Sequence, residues 1–253
     1  MTQSDSLQPA EPGPPGLLIL WSPPRCRSTA FLRMMHQRGD FQIVHEPFSR
    51  LKDFGESEVD GVACTDERSL MDALLAAGAN RAVFVKDTTD FHYPGVLAAE
   101  DFLLGATHSV IIRDPREAIA SHYRLNPRLT RDEIGFAWVR EIYEAVAATG
   151  GKVAVLDSDD LVDHPEQTVR AYCEQVGIPF LPEALSWSAG ALPSWEQTMR
   201  WHTEAAASTK LYRVSTMPAP DLSDDPVLGG FFRFHFPHYQ WLRERRLKIA
   251  EDA

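Results

Sequence analysis

Cysteine is scarce, with three in 253 residues, and Cys26, Cys64 and Cys173 are widely spaced. An odd number at such spacing excludes a disulfide framework and matches no metal-ligand pattern, so the three read as reduced thiols. Long apolar runs are missing too: none approaches the roughly 18 residues needed to span a bilayer. The N-terminal MTQSDSLQPAEPGPPG lacks both the basic and the apolar region of a signal peptide. These absences predict a cytoplasmic chain with a flexible leader over residues 1–15. Positive charge is in deficit, 25 Lys and Arg against 36 Asp and Glu, a net charge of −11. That argues against nucleic acid or an anionic membrane as the main partner, while leaving room for a local basic pocket. No internal repeat is visible.

What is present is an ordinary globular composition, 44% apolar and 24% charged, in a chain long enough to bury a sizeable core. Short apolar, β-branched runs at Gly16–Trp21, Phe41–His45, Ala82–Lys86, His108–Arg113 and Lys152–Leu156 read as buried strands. Helical patterns separate them: Ser28–Gln37, Glu67–Ala77, a short one after Pro94, Pro115–Arg124 and a long one over Arg131–Ala148. Another helix follows Asp163-His164-Pro165-Glu166, running over Gln167–Val176 and stopped by Gly177. Alternation of this kind predicts an α/β fold: one open parallel sheet covered by helices on both faces. Residues 16–253 are expected to form one domain, with 181–253 as a helical and loop cap. Within that cap, Met217–Gly230 reads as a loop and Tyr239–Ile249 as a basic terminal helix.

Open parallel sheets bind ligands outside the carboxyl ends of their strands, so the residues just after each strand carry the functional reading. After the first strand comes WSPPRCRSTAF, Trp21 to Phe31. A strand–turn–helix junction offers free backbone amides and the positive end of a helix dipole to an anion. Arg25 and Arg27 add charge there, and Ser28 and Thr29 add hydroxyls. The pattern Gly-x-x-x-x-Gly-Lys-Ser/Thr is absent, so neither the P-loop lysine nor its magnesium-binding hydroxyl is in place. The turn is suited to an anion held without a metal.

Pro24-Arg25-Cys26-Arg27-Ser28-Thr29 resembles the 5′-phosphosulfate loop of sulfotransferases, with Cys26 at the first serine of the family pattern and Arg27 at its glycine. HSVIIRDPREAIASHYRL is similar to the family's 3′-phosphate site, an arginine ending a strand and a serine eight residues on, here Arg113 and Ser121. A guanidinium fork and a hydroxyl suit a phosphate clamp. LDSDDLVDHPEQTVRAYCEQVGIPF resembles a further family stretch, in which Asp160-Leu161 and Pro165 shape a strand-to-helix corner. The resemblance spans roughly residues 17–180. It implies 3′-phosphoadenosine 5′-phosphosulfate (PAPS) as co-substrate, with Arg25, Cys26, Arg27, Ser28, Thr29, Arg113 and Ser121 around it and no metal.

Sulfuryl transfer to a hydroxyl needs a base for the acceptor's proton, and Glu46 in VHEPF ends the second strand. In the tyrosylprotein, glycosaminoglycan and bacterial trehalose branches of the family a glutamate in this place is the base, so the resemblance implies Glu46 as the base here. Cytosolic members use a histidine after the third strand. Here that segment reads Lys86-Asp87-Thr88, which keeps the lysine, an assisting catalytic group, and lacks the histidine. His45 and His92 compete with Glu46 for the role. In the last third, Trp195, Trp201 and His202, with Ser208-Thr209-Lys210, fit an acceptor pocket, closure over the adenosine or packing of the cap on the sheet, and Lys210 is the best extra phosphate ligand by chemistry. The acidic balance disfavours a polyanionic polymer as acceptor, leaving a small alcohol, phenol or amine. Two other readings remain open: a P-loop kinase using ATP and magnesium, and a non-catalytic nucleotide-binding protein of the same fold.

Overall fold

β1 (Leu17–Ser22) is buried at every position, which is why LLILWS reads as an unbroken apolar run. It is the central strand of the computed structural model, which describes residues 16–213 and 221–249. The leader and residues 217–220 of the expected loop lie outside the described residues. After β1 come α1 (Ser28–Arg38), β2 (Gln42–His45), α2 (Pro47–Phe54), a hairpin of β3 (Ser57–Val59) and β4 (Val62–Cys64), and α3 (Glu67–Asn80). Next are β5 (Val83–Thr88), α4 (Pro94–Ala98), α5 (Glu100–Gly105), β6 (Thr107–Ile112), α6 (Pro115–Leu125) and α7 (Phe136–Ala148). β7 (Val153–Asp157), α8 (Ser158–Asp163), α9 (Pro165–Val176), α10 (Thr203–Ala207) and α11 (Leu228–Arg243) complete the order.

Five strands pair in parallel in the order β2-β5-β1-β6-β7, as the α/β reading expects. Alternate side chains of β1 feed two cores. Leu17, Ile19 and Trp21 join the cluster under α3, α6, α7 and α11, and Leu18 and Leu20 join the one under α1 and α9. Each such fully buried aliphatic or aromatic side chain stabilises by about 1.5–3 kcal/mol. The chain leaves β1 toward the β2 edge and leaves β6 toward the β7 edge, so the crevice between the carboxyl ends of β1 and β6 is the topological switch point.

Several elements differ from the sequence reading. The expected helix over Arg131–Ala148 is a 3₁₀ turn at Asp132–Ile134 and then α7, broken at Gly135 with φ 83°. A Cβ at Gly135 would lie 2.4 Å from the Thr89 carbonyl oxygen, so close approach of the β5 loop demands glycine and ends the helix. The terminal helix runs over Leu228–Arg243 instead of Tyr239–Ile249, with Pro237 inside it. α11 packs on α6 and α7, on the face opposite α1, so 181–253 is no single cap. The stretch from Pro182 to Arg213 alone lies beside α1, with 3₁₀ turns at Pro182–Leu185 and Pro193–Trp201.

Candidate active site

The turn after β1 takes a conformation that L-residues adopt rarely: Arg25 has φ 68° and Arg27 has φ 63°. Left-handed backbone costs such residues about 1–2 kcal/mol each, and within a tight turn it curls successive amides into an anion-binding concavity. No side chain caps α1; the Ala30 amide turns back to the Arg27 carbonyl at 3.1 Å, and the amides before it and the helix dipole stay open to a ligand. Arg27, at the position where the resembled pattern has glycine, takes the left-handed shape a glycine would. Its guanidinium clasps Ser158 and Asp159 of α8, at 3.0 and 2.9 Å, and approaches Glu117 at 3.4 Å.

Across the switch point the β6 end meets this turn. Arg113 donates to the Arg25 carbonyl at 3.1 Å and is forked on Glu117, with Nε 2.8 Å from the carboxylate. Arg25 donates from Nε to the Ser121 hydroxyl at 3.1 Å and from a terminal nitrogen to the Trp201 carbonyl at 2.8 Å. The two halves expected to hold opposite ends of PAPS are therefore joined by hydrogen bonds at one spot. The Cys26 side chain, expected among the donor contacts, is turned into the core instead, and burial pushes its thiol up to about 12. Lys210 lies exposed on the rim, and its backbone pairs with Ser186.

The base candidates separate. Glu46 also has left-handed backbone, φ 50°, and begins α2 without capping it. Asp87 performs that task, accepting from the Phe48 amide at 2.6 Å and the Ser49 amide at 3.2 Å. Strand alternation sends Asp87 to one face of β5 and Lys86 to the other, where Lys86 is ion-paired to Glu46. Burial alone would raise the Glu46 carboxyl, but Lys86, His45 and His202 outweigh it and hold it at about 2. His45 lies beside Glu46, its Nε2 3.6 Å from Oε1, and burial lowers its ring to about 4. His92 is elsewhere, exposed and paired with Glu141 at 2.9 Å against Trp138.

His202, which the sequence offered only as a wall or cap residue, closes this group. Its ring lies 4.8 Å from that of His45 and bonds to Thr198 at 3.1 Å, and burial lowers it to about 3. The ligand atoms of His45, Glu46 and His202 all lie within 4.8 Å of one another, a spacing a cation can bridge. The Lys86 ammonium already occupies that carboxylate. Trp195 is buried in the α1-side core, whereas Trp201 lines the cavity. Asp90 was missed, although it follows Thr88 by two residues at a sheet end where the loop rule directs attention. Burial, with Glu46 and Asp53 adding repulsion, raises its carboxyl to about 6 against the bond from Thr88.

Arg25, Arg27, Glu46, Lys86, Asp90, Arg113, Ser121 and His202 line one cavity of about 530 Å³ over the carboxyl ends of β1, β5 and β6, with His45 behind Glu46. The family model described as sulfotransferase domain matches residues 17–245 of this chain. The chain belongs to the sulfotransferase family. Two curated relatives from Arabidopsis thaliana are similar to it, branched-chain-amino-acid aminotransferase-like proteins 2 and 1. The first is 25% identical, over 86% of this chain and 41% of that protein, and the second 26%, over 88% and 43%. This sulfotransferase-family chain thus spans less than half the length of either. Among solved structures, a sulfotransferase from Alicyclobacillus acidocaldarius shares 18% identity, covering 78% of this chain and 97% of that one at TM-score 0.46. A mouse sulfotransferase complexed with PAP shares 11%, covering 93% and 86%, at TM-score 0.43.

Proposed function

We propose that the protein transfers a sulfuryl group from PAPS to a hydroxyl or amine of a small-molecule acceptor. The observation that carries this reading is the junction at the switch point. Arg25, from the β1 turn, is bonded to Ser121 and contacted by Arg113 from the β6 end, beside the uncapped α1 N-terminus. Such a set provides cationic forks and amides for two anionic groups on one ligand, as PAPS carries. Arg113 and Ser121 anchor the 3′-phosphate, while Arg25 and the loop amides hold the 5′-phosphosulfate; Thr29, Ser28 and Lys210 complete the wall. Arg27 acts through its clasp on α8, and Cys26 contributes backbone alone.

In the transfer, an acceptor oxygen or nitrogen attacks sulfur in line. A new bond to sulfur forms as the bond from sulfur to the bridging phosphate oxygen breaks, and that electron pair stays on the departing phosphate. Arg25 and the amides stabilise the charge that develops there. Glu46 takes the acceptor's proton. A carboxyl held at about 2 is a poor base, so Lys86 must leave it first. The arriving phosphosulfate draws the ammonium away, which strengthens Glu46 as a base and puts the cation on the leaving group.

The Glu46–Lys86 pair also favours a second reading, a donor-binding protein without turnover, should Lys86 never release the carboxylate. Incubation with sulfur-labelled PAPS and a metabolite extract, followed by mass spectrometry, separates the two. Transfer requires a sulfated product. Binding of adenosine 3′,5′-bisphosphate without any sulfated product leaves the non-catalytic reading, and preference for ATP with magnesium would overturn both. Among the described residues no helix is long and apolar enough to cross a membrane.

A further inference from the structure

The acceptor side of the cavity is rich in hydrogen-bond acceptors and poor in partners for them. Asp90 and Asp53 both line it beside Glu46, and neither forms an ion pair among the described residues. Asp90 receives hydrogen bonds from the Thr88 hydroxyl at 2.8 Å and from its own backbone amide, and neither donor carries a charge. Glu133, a further carboxylate of the wall, is spent on capping the Thr130 amide and hydroxyl, both at 2.6 Å. Arg200 reaches toward Asp53 from an exposed position stacked 4.7 Å over Trp201, and Arg124 is exposed at the rim. Cations thus stand at the mouth, and the carboxylate of Asp90 is left without one.

A second observation points the same way. The His45 side chain is 3% exposed, and its Nε2 has no hydrogen-bond partner while facing Glu46, which lines the cavity. Buried polar atoms are nearly always paired, so an unpaired one beside a cavity marks a place for a ligand group. A carboxylate without a counterion is likewise costly to keep out of water. Phe91, partly buried, adds an apolar surface to the same wall.

We infer that the acceptor is a cationic hydroxy compound, whose protonated amine is held by Asp90 with Asp53 while its hydroxyl receives the sulfuryl group beside Glu46. An ammonium supplies several N–H donors and the missing positive charge in one group, which a neutral alcohol cannot do. Asp90 is then the residue that sets acceptor charge. The inference rests on the sulfotransferase reading and narrows its acceptor.

The test uses the full chain saturated with adenosine 3′,5′-bisphosphate and two matched probe sets read by ligand-observed NMR. One set is tyramine, 4-ethylphenol and 3-(4-hydroxyphenyl)propionate, and the other is 6-aminohexanol and hexanol. Tyramine and aminohexanol should bind at least about tenfold better than their neutral partners, as loss of a charge-assisted bond implies, and the propionate should bind worst. Asp90→Asn should level each set while leaving bisphosphate affinity unchanged. Asp53→Asn, a milder substitution on an exposed site, should narrow the same gap if the Asp90 variant fails to fold. Equal binding within a set, preference for the anionic probe, or no binding of either amine would overturn the inference. Failure of the bisphosphate to bind would sink the donor assignment instead.

Discussion

Arg113 and Glu46 carry the two residue-scale tests, one on each side of the transferred group. Removing a charge-assisted bond costs about 1.5–3 kcal/mol, so Arg113→Ala should weaken adenosine 3′,5′-bisphosphate binding by about tenfold or more while AMP binding barely moves. Calorimetric titration with both nucleotides reads this, and equal losses would show that Arg113 merely braces the Arg25 carbonyl. Glu46→Gln keeps the side chain's shape and removes the proton acceptor. Turnover should fall on the order of 10²–10⁴, with bisphosphate affinity unchanged. Should Glu46→Gln stay active and His45→Ala lose activity, the base is the histidine. His92 is no longer a rival, because its partner Glu141 and its exposed place put it outside the cavity.

At the scale of elements, the loop after β5 is positioned by a neighbour distant in sequence. Gly135 sits left-handed between the Asp132–Ile134 turn and α7, its carbonyl accepting from the Thr89 hydroxyl at 2.9 Å. Gly135→Ala would add backbone strain of about 1–3 kcal/mol and press a methyl on the Thr89 carbonyl. We expect a lower Tm together with a rise in acceptor KM, because the displaced segment carries Thr88 and Asp90. A drop in Tm with unchanged acceptor kinetics would show that the loop tolerates the shift. α2 makes the complementary case: its cap is Asp87, supplied by β5 and not by the residue preceding the helix.

For the molecule as a whole, acid sensitivity follows from buried imidazoles. Burial lowers His45, His108, His122 and His235 to about 4 and His202 to about 3. The unfolded chain, with ordinary histidines near 6.5, binds more protons between about pH 4 and 6.5. Folding stability from these groups is therefore present above that window and lost as pH falls through it. Asp87 and Asp90 work in the opposite sense, since burial raises them to about 7 and about 6. His36 and His238 are lowered by burial as well, and Asp53 and Asp157 raised by it, so the histidines stay in the majority and stability should decline from pH 6.5 to 4.5. Urea unfolding at a series of pH values measures this; a flat or rising curve toward acid would contradict it.

What the amino-acid sequence determined by itself is local. Buried parallel strands need continuous apolar runs, so β1, β5, β6 and β7 were legible to within a residue or two. Arg113, Ser121 and Arg25 stood out through their resemblance to the sulfotransferase motifs, and that the three meet is a matter of the fold. Short elements were not legible, since α2, α8 and the β3–β4 hairpin carry too few residues for a periodic signal. Only the tertiary structure decided where the side chains point. The left-handed turn formed by Arg25 and Arg27 directed Cys26 into the core on the face opposite α1, and at the α2 N-terminus Asp87 took over the cap from Glu46. Chain reversal brought His202 from beyond residue 181 onto Glu46 and took α11 to the opposite face. Such placements depend on contacts between residues far apart in the chain, and no local pattern of residue types encodes them.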